Sequence, residues 1–511
     1  MQKYTLAQYR QLLQNKNMLV EAVGCDANEE PVSLLTYDSK AVRPGTLFIC
    51  KGAAFKKQYL DEAIKKGAIC YVSEVPYDTE TKIPYMLVKD IRLAMPPLAV
   101  WYNNHPEEAL TLIGIGGTKG KSTSAYYMKA IIDDYMMAIG ESESAILSSI
   151  DTYDGVICEE SRLTTPEAVA LWAHFRNAVN SHIKYFQMEV SAQALKYHRV
   201  DDVRFDVGMF LNISEDHISP VEHPDFEDYF SSKLLMFEQC KQAVINKDAD
   251  YYARIESCAR ACEKVLTFST KDATADVYGY AIRKDGDETV FMVRTKDFDE
   301  EFRLTMPGLF NVENALAVIA ASLLLDIPKK YMHSGLYRAR SKGRMEMYVS
   351  RDKNLITVVD YAHNKLSFER LYASIREEYP DYAIASVFGC VGGKALNRRQ
   401  ELGTIVGQYA KKAYLTAIDP GDEPFEKICS EIGVHLDRAG CPYEVIEDRG
   451  EAIRTAISEV SGKTVLLVTG HGSGTKIHYK DHVVNCKSDI EYVRMYMEAY
   501  DSASEVACTE I

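Results

Sequence analysis

The chain has 511 residues, of which 47% are hydrophobic and 26% are charged, and its formal net charge at pH 7 is -15. This length exceeds what one hydrophobic core usually supports, and this composition is typical of a globular protein rather than a disordered or fibrous one. The acidic balance argues against a nucleic-acid partner, because a protein that binds a phosphate backbone needs a basic surface.

The N-terminal sequence MQKYTLAQYRQLLQNKNMLVEA carries charges throughout and lacks the apolar segment of a signal peptide. No uninterrupted apolar run approaches the roughly 18 residues of a membrane-spanning helix. The twelve cysteines are scattered and include no Cys-x-x-Cys motif, which predicts reduced thiols, most of them buried. We therefore expect a cytoplasmic protein with no membrane partner.

Three α/β patterns follow one another along the chain. Residues 1–105 contain the apolar runs TLFIC, AICYV and PYMLV and the helical pattern YLDEAIKKG. Residues 106–338 begin with the strand TLIGI and the helix STSAYYMKAIIDDYM and continue with the strands IKYFQMEV, FDVGMFLNI and QAVIN. Residues 339–511 contain LITVVDYA, IASVFG, KAYLTAI and TVLLVTG. Apolar strands alternating with helices predict parallel sheets covered by helices, and we therefore predict three α/β domains with these bounds.

A glycine-rich loop, GIGGTKGKST, joins the first strand of the second domain to its helix. In this setting backbone N–H groups converge on an anion at the positive end of the helix. Lys121 would add a positive charge, and Ser122 or Thr123 would offer a hydroxyl to Mg²⁺. The loop therefore predicts binding of a nucleotide phosphate, although the spacing from Gly114 to Gly120 is one residue longer than in the common P-loop.

This longer loop, with Gly114, Gly117, Thr118, Gly120 and Lys121, resembles the ATP loop of the Mur ligases, which build the peptide stem of bacterial cell-wall precursors. The wider pattern of that family follows in order as LTTPE, MEVSAQALKYHRV, LNISEDHISPVEHPDFEDYFSSKLLMF, GLFNVENALAV, KGRME and DYAHN. The N-terminal segment YDSKAVRPGTLFICKGAAFKKQYLDEAIKKGA resembles the UDP-binding domain of the tripeptide-synthetase branch. The resemblance thus covers nearly the whole chain. With Lys rather than Asn at position 119, the loop most resembles that of the lysine-adding members.

The resemblance implies an N-terminal UDP-binding α/β domain, a central P-loop ATPase domain on a parallel sheet, and a C-terminal Rossmann-like α/β domain. It implies a monomeric ligase that uses ATP and Mg²⁺ in peptidoglycan synthesis. The D-Glu carboxylate of UDP-N-acetylmuramoyl-L-Ala-D-Glu would be phosphorylated, and a free amino acid, with L-lysine favoured, would attack the acyl phosphate. Two alternatives stay open: a homologue with another acceptor amine, and a non-catalytic ATP-binding subunit. The segment YDSKAVRPGTLF argues against a ligase that acts on folate.

For the ATP site the resemblance implies two groups of residues. They are Gly117, Thr118, Lys119, Gly120, Lys121, Ser122 and Thr123 from the loop, and Asn311, Arg344 and Asp360 from the later motifs.

Three further residues are predicted to act beside Lys121 in catalysis. Glu189 ends the apolar strand FQMEV where phosphates would lie, so it can hold Mg²⁺ with Ser122, although strand-end carboxylates are often merely solvated. His217 would be a second metal ligand by resemblance, although a lone histidine is more often structural. Lys233 lies in SSKLLMF, which by itself predicts a helix start with a lysine reaching solvent. The resemblance implies instead that Lys233 is carbamylated to N6-carboxylysine.

Hydroxyl and cationic side chains are predicted to hold the UDP-sugar peptide between the first two domains, because they suit phosphate and carboxylate oxygens. By resemblance they are Ser39, Thr164, Thr165, Ser191 and Arg199. Each serine or threonine alone would more often be a turn or cap residue, so only the set carries the assignment.

The match weakens where the family binds the incoming amino acid. The acidic motif, Asp-Asn-Pro-Arg or Asp-Asp-Pro-Asn in relatives, falls on AIDPGDEP, with Ile418 at the first acidic position and Gly421 at the last. A second acid falls on Gly474 in TGHGSGTK. The missing arginine argues against diaminopimelate. Either the alignment slips by one residue or the acceptor has changed.

A cation for the carboxylate of the amino acid survives as Lys394, where many relatives have an arginine. We assign the amino-acid site to Lys394, Asp419 and Gly470, with Asp422 and Glu423 as other acids that could replace the lost ones after a loop shift.

Overall fold

The computed structural model describes residues 2–27, 29–52, 55–161, 163–215, 218, 222–286, 288–306, 308, 310–340, 343 and 345–509. Within these residues the chain forms sheets of five, eleven and six strands and one two-stranded hairpin. The sheets succeed one another along the sequence, and the helices cover their faces.

The first sheet has the strand order β1-β5-β4-β3-β2, with β1 antiparallel to β5 and the other pairs parallel. Its strands are β1 (Leu19–Val23), β2 (Leu34–Thr36), β3 (Thr46–Ile49), β4 (Ala68–Ser73) and β5 (Tyr85–Val88), and its helices are α1 (Leu6–Asn15), α2 (Lys57–Lys65) and α3 (Ile91–Tyr102). Local sequence sets the helix starts: Asp90 caps α3 by accepting from the backbone N–H groups of Arg92 and Leu93.

The central sheet has the order β16-β15-β14-β13-β12-β11-β6-β10-β7-β8-β9. Its strands are β6 (Thr111–Gly116), β7 (Ala145–Leu147), β8 (Asp151–Tyr153), β9 (Cys158–Glu160), β10 (Tyr185–Glu189), β11 (Phe205–Phe210), β12 (Cys240–Asn246), β13 (Lys264–Ser269), β14 (Val277–Asp285), β15 (Glu288–Arg294) and β16 (Asp299–Leu304). The accompanying helices are α4 (Lys121–Ala138), α5 (Ala168–Asn180), α6 (Ala192–Lys196), α7 (Phe226–Leu234), α8 (Tyr252–Ala259), α9 (Asn311–Leu324) and α10 (Lys329–Arg338).

The prediction of a parallel central sheet is confirmed for its middle and is incomplete at its edges. Strands β7, β10, β6 and β11 to β14 are parallel, whereas β8, β9, β15 and β16 run antiparallel to their neighbours. These edge strands follow one another through short connections, and such connections can join only antiparallel strands.

The third sheet has the order β17-β18-β22-β19-β20-β21, in which only β17 is antiparallel. Its strands are β17 (Glu346–Val349), β18 (Leu355–Asp360), β19 (Ala383–Phe388), β20 (Lys412–Leu415), β21 (Tyr443–Val445) and β22 (Thr464–Thr469), and β23 (Lys476–His478) pairs with β24 (Val483–Asn485). Its helices are α11 (Lys365–Glu378), α12 (Asn397–Tyr409), α13 (Phe425–Ala439), α14 (Arg449–Ser458) and α15 (Asp489–Thr509). The middle strands β18 and β22 are buried throughout, as expected of parallel strands covered on both faces.

The hydrophobic core continues from the first sheet into the central one. A single buried cluster includes Leu98 of α3 and Trp172 of α5, whereas two separate clusters cover the two faces of the third sheet. The predicted divisions at 105/106 and 338/339 stay predictions; the three sheets occupy residues 19–88, 111–304 and 346–445 with 464–469. Among the described helices, none combines the length and apolar character needed to cross a membrane.

A fully buried ion pair anchors the end of the third sheet. The Arg449 guanidinium donates to both carboxylate oxygens of Asp489 at 2.6 and 2.8 Å and to the carbonyl of Thr469 at 2.8 Å. The backbone N–H of Gly472 donates to the same carboxylate at 2.8 Å. The pair thereby ties α14 and α15 to the loop that follows β22.

Replacing Arg449→Ala should leave the Asp489 charge buried without its partner, which costs about 3–5 kcal/mol. We expect hydrogen–deuterium exchange to accelerate strongly in peptides that cover 464–474 and the start of α15, because local opening becomes easier there. The control Arg454→Ala removes an exposed arginine of α14 that pairs with Glu451, and it should leave exchange unchanged. Equal exchange in the two variants would contradict the anchoring role.

Candidate active site

The glycine-rich loop lies at the centre of the largest sheet. It connects β6, which is flanked by β10 and β11, to α4, so it sits at the carboxyl edge of the parallel strands, where α/β proteins bind ligands. Gly117 and Gly120 have φ values of +141° and +85°, and a Cβ on Gly120 would lie 2.2 Å from Oδ1 of Asn314. Glycine is therefore required at position 120 both by the backbone conformation and by space.

The side chain of Asn212, directly after β11, holds this loop. Its Oδ1 accepts from the backbone N–H of Lys119 at 2.8 Å, and its Nδ2 donates to the carbonyl of Lys119 at 3.0 Å. The carbonyl of Asn212 accepts from the N–H of Thr118 at 3.0 Å. Three hydrogen bonds with Asn212 therefore hold the backbone of the loop at Thr118 and Lys119.

Lys121 and Lys233 converge on one carbonyl of the loop. Nζ of Lys121 donates to the carbonyl of Gly117 at 3.0 Å, and Nζ of Lys233 donates to the same oxygen at 2.8 Å. The helix start predicted for SSKLLMF is wrong, because Lys233 lies in the last turn of α7. It does not reach solvent either: it is 3% exposed, with Nζ 4.8 Å from the centre of the Tyr229 ring.

Glu189 and Ser122 are joined through Ser149. Glu189 is 1% exposed, so it is not a solvated strand end, and its Oε1 accepts from the N–H of Ser149 at 2.8 Å. The hydroxyl of Ser149 lies 3.1 Å from that of Ser122. One carboxylate and two hydroxyls beside a phosphate-binding loop are the oxygen donors that Mg²⁺ prefers, so this donor set fits the predicted metal. His217 and Arg344 lie outside the described residues.

A cavity of about 210 Å³ unites most of the residues predicted for the UDP-sugar peptide with the two lysines. Its lining includes Thr164, Thr165, Ser191, Arg199, Lys121 and Lys233. Ser39 is not among the described lining residues, and its hydroxyl donates to Oε2 of Glu62 at 2.8 Å.

The first domain reaches this cavity through a chain of ion pairs. Lys51 lies 2.5 Å from one carboxylate oxygen of Glu167, and Nε of Arg199 lies 3.0 Å from the other. Arg199 also donates to the carbonyl of Thr165 at 3.3 Å. The orientation of Arg199 therefore depends on a residue of the N-terminal domain.

A smaller cavity of about 70 Å³ collects predicted nucleotide residues from the central and C-terminal domains. Lys119, Gly120, Thr123, Asn311 and Asp360 all line it. The carboxylate of Asp360, at the end of β18, accepts from the N–H groups of Met345 and Ala362 at 2.9 and 2.7 Å. The loop is thus shared between two cavities.

A third cavity, of about 550 Å³, lies between the central and C-terminal domains. It brings together all three residues predicted for the amino-acid site, Lys394, Asp419 and Gly470, and both positions where an acid is missing, Ile418 and Gly474. Arg398 lines it as a second cation. Ser149 lines it as well, which connects it to Ser122 and Glu189.

The structure distinguishes among the acids that could replace the missing ones. Glu423 is bound by Arg399 through two contacts of 3.0 and 2.6 Å, and Arg399, with Lys427, holds the pKa of that carboxyl well below its usual range. Asp422 is exposed and does not line the cavity. Asp419 is the acid of this segment that lines the cavity, and its Oδ1 accepts from the N–H of His478 at 2.7 Å.

Two domain models match this chain: the Mur ligase middle domain matches residues 115–322, and the Mur ligase glutamate ligase domain matches residues 343–472. A UDP-N-acetylmuramoyl-L-alanyl-D-glutamate–L-lysine ligase of Enterococcus faecalis is 38% identical over 87% of each chain. The chain belongs to the Mur ligase family. A ligase of the same name from Streptococcus agalactiae is 35% identical over 91% of this chain and 92% of its own.

Solved structures of Mur ligases have the same fold. A UDP-N-acetylmuramoyl-L-alanyl-D-glutamate–2,6-diaminopimelate ligase superposes with a TM-score of 0.65 at 20% identity, over 98% of this chain and 99% of its own. A MurF ligase of Thermotoga maritima in complex with ADP gives 0.61 at 16% identity, over 92% of this chain and 99% of its own. The predicted three-domain α/β architecture is therefore confirmed, and as a Mur ligase the protein is an ATP-dependent enzyme that forms amide bonds.

Several residues of this Mur ligase site were not predicted from sequence. Asn212 lies inside the LNIS motif, so the sequence marks its position, but it does not predict that the side chain binds the backbone of Lys119. Ser149 lies in ILSSIDTY, a segment without a motif, and only the register of β7 beside β10 brings it to Glu189. His471 lines the cavity of about 550 Å³, in the TGHGSGTK segment, where the family pattern draws attention to Gly474 instead.

Gly120→Ala should weaken binding of ATP at least tenfold. The substitution strains a left-handed residue by about 1–2 kcal/mol and also drives a Cβ into the amide of Asn314. Gly140→Ala is the matched control, because Gly140 has φ +76° and nothing within 4 Å of its Cβ position. It should lower stability slightly and leave the ATP dissociation constant, measured by calorimetry, unchanged. Equal ATP affinity in the two variants would contradict this account.

Proposed function

We propose that this Mur ligase attaches L-lysine to the D-Glu carboxylate of UDP-N-acetylmuramoyl-L-Ala-D-Glu, with release of ADP and phosphate. The relatives from Enterococcus faecalis and Streptococcus agalactiae carry the name of this reaction. The observation that carries the proposal is the position of Ser149 and Glu222. Ser149 links the amino-acid cavity to Ser122 and Glu189, and Glu222 lines both that cavity and the one that contains Lys121.

The chemistry follows from this arrangement. In the first step a carboxylate oxygen of D-Glu takes the γ-phosphoryl group of ATP, and the bond to the β-phosphate oxygen breaks. In the second step the amine forms a C–N bond to the acyl carbon, loses a proton, and phosphate leaves. Both reacting groups of the first step are anionic, so the residues must align them and neutralise their charge.

We assign individual residues of the chain to these steps. Lys121 would leave the carbonyl of Gly117 to contact the β- and γ-phosphates. Thr165, Ser191 and Arg199 would orient the UDP-sugar peptide so that its carboxylate faces the γ-phosphate. Lys394 would bind the carboxylate of the incoming amino acid, and Asp419 its side chain.

Mg²⁺ would be held by Ser122 and Glu189, and it would supply positive charge to the phosphoryl group during transfer. The buried carboxylate of Glu189 supports this assignment, because a buried charge needs a compensating partner.

The position of Lys233 beside Lys121 supports its carbamylation. The two ammonium groups donate to the same buried carbonyl, so two positive charges lie close together where water is scarce. An N6-carboxylysine at 233 would convert one cation into an anion, which would attract Lys121 or the metal instead.

The proposed function predicts which amino acid is consumed. Purified protein with UDP-N-acetylmuramoyl-L-Ala-D-Glu, ATP and Mg²⁺ should release phosphate with L-lysine, and the product should have the mass of the lysyl tripeptide. Lys121→Ala should lower kcat about 10²–10³-fold, because it removes a charge that stabilises phosphoryl transfer. Lys184→Ala, an exposed lysine that pairs with Glu141, is the control and should keep full activity. If another amino acid supports phosphate release and lysine does not, the acceptor has changed. If no amino acid supports phosphate release, the protein is a binding subunit.

Carbamylation predicts a chemical signature at Lys233. In ¹³C-bicarbonate the wild type should show a carbamate resonance in ¹³C NMR spectra, and Lys233→Ala should lose both that resonance and most of its turnover. Lys241→Ala, whose partly exposed ammonium pairs with Asp206, should retain both. A wild-type spectrum identical to that of Lys233→Ala at saturating bicarbonate would rule the modification out.

A further inference from the structure

Two neutral side chains occupy the part of the inter-domain cavity where the family pattern predicts acids. Cδ1 of Ile418 lies 2.5 Å from the Cβ position of Gly470, so Ile418 fills the space beside that glycine. The imidazole of His471 does the same at Gly474: its Cε1, Nε2 and Nδ1 lie 2.9, 3.0 and 3.2 Å from the Cβ position. The polar edge of the ring therefore stands where a side chain at residue 474 would begin.

The position of the His471 ring is set by its own loop and by a contact with Cys486. His471 is 6% exposed, and its loop is tied to the Arg449–Asp489 pair through the N–H of Gly472. Sγ of Cys486 lies 3.7 Å from its Nε2. The tautomer that carries the ring proton on Nε2 leaves the lone pair of Nδ1 as an acceptor.

The charge state of the ring follows from its surroundings. Burial lowers the pKa of His471 below the ordinary value of 6.5, and the nearby charge of Arg449 lowers it further, whereas Asp489, Asp419 and a hydrogen bond to the backbone of Gly474 oppose the shift. The other titratable side chains that line the same cavity are Glu160, Glu222, His363, Cys390, Lys394, Arg398, Lys476, His478 and Tyr361. At neutral pH the imidazole is therefore an uncharged acceptor of hydrogen bonds.

An ammonium group that enters this cavity needs acceptors for its three donors. Asp419 supplies a carboxylate, one oxygen of which is already engaged by the N–H and Nδ1 of His478 at 2.7 and 3.0 Å. Ile418 supplies no polar atom. The neutral ring of His471 supplies a second acceptor without adding charge, so the ammonium would not be left with a single partner.

We propose that the imidazole of His471 and the carboxylate of Asp419 together bind the side-chain ammonium of the incoming amino acid, which makes His471 a specificity-determining residue. The inference rests on the proposed addition of lysine. One carboxylate and one neutral acceptor suit a side chain that ends in a single cation. A side chain that carries a further carboxylate would bring a second negative charge towards Asp419.

The first test compares L-lysine with L-norleucine, which has nearly the same shape but lacks the ammonium. In His471→Ala, kcat/KM for lysine should fall at least tenfold, mainly through KM, whereas kcat/KM for norleucine should change less than twofold. His482→Ala, an exposed histidine between β23 and β24, is the control and should change neither. Equal losses for lysine and norleucine would mean that His471 is only structural, and would overturn the inference.

The second test follows the protonation of the ring. Because the neutral form binds, and its pKa lies below 6.5, the KM for lysine should be constant above that pH and rise as pH falls below it. His471→Gln keeps an acceptor that does not titrate, so its KM should not show this rise. The lysine α-amine titrates equally in both proteins, so it cancels in the ratio of their KM values. A ratio independent of pH would contradict the role of the ring.

A reciprocal pair of variants tests the geometry. Gly474→Glu alone should impair lysine binding because its Cβ meets the imidazole, whereas the double variant His471→Ala with Gly474→Glu puts a carboxylate into the vacated space. We expect the double variant to recover lysine kcat/KM above that of His471→Ala, and a folded, ATP-binding double variant without recovery would count against the inference.

If the wild type adds no lysine at all, the proposed function fails. If it adds lysine, and the ratio of kcat/KM for lysine to that for norleucine is the same in the wild type and in His471→Ala, only this inference fails.

Discussion

The active site depends on two hydrogen bonds between the side-chain amide of Asn212 and the backbone of Lys119. Asn212 binds both the N–H and the carbonyl of Lys119, and these two hydrogen bonds hold the loop at the edge of β6. The loop in turn presents the carbonyl of Gly117 to Lys121 and Lys233 and places Gly120 against Asn314. A preorganised loop avoids the cost of ordering its backbone when the phosphates bind.

The phosphate loop lies between two of the cavities, and one residue joins the first of them to the inter-domain cavity. Lys121 belongs to the cavity with Thr165 and Arg199, whereas Lys119 and Thr123 face the smaller cavity that contains Asp360. Glu222 lies between the first of these and the inter-domain cavity. The described lining residues of these cavities come from both the central and the C-terminal domain.

Ion pairs in the C-terminal domain decide which charges are available to a substrate. Arg399 engages Glu423, and Arg449 engages Asp489, so two acids that lie near the inter-domain cavity serve the structure instead. Each pair holds a loop that lines the cavity: Glu423 also accepts from the N–H of Gly393, and Asp489 from that of Gly472. Asp419 and His471, in contrast, line the cavity itself.

The sequence by itself determined the central strands near the site. Apolar runs such as TLIGI and TVLLVTG are typical of parallel strands that are covered on both faces, and both strands are buried in the structure. The sequence also determined the phosphate loop, since a glycine-rich turn between strand and helix has few other uses, and motif order identified the family. Only the tertiary structure decided that Lys233 lies at the end of a helix, where it is buried and donates to the carbonyl of Gly117. It also decided that Ser149 joins Ser122 to Glu189. In the same way it decided that Glu423 is bound by Arg399 whereas Asp419 lines the cavity. These facts depend on contacts between residues far apart in the chain, which strand register and loop packing create and local patterns do not record.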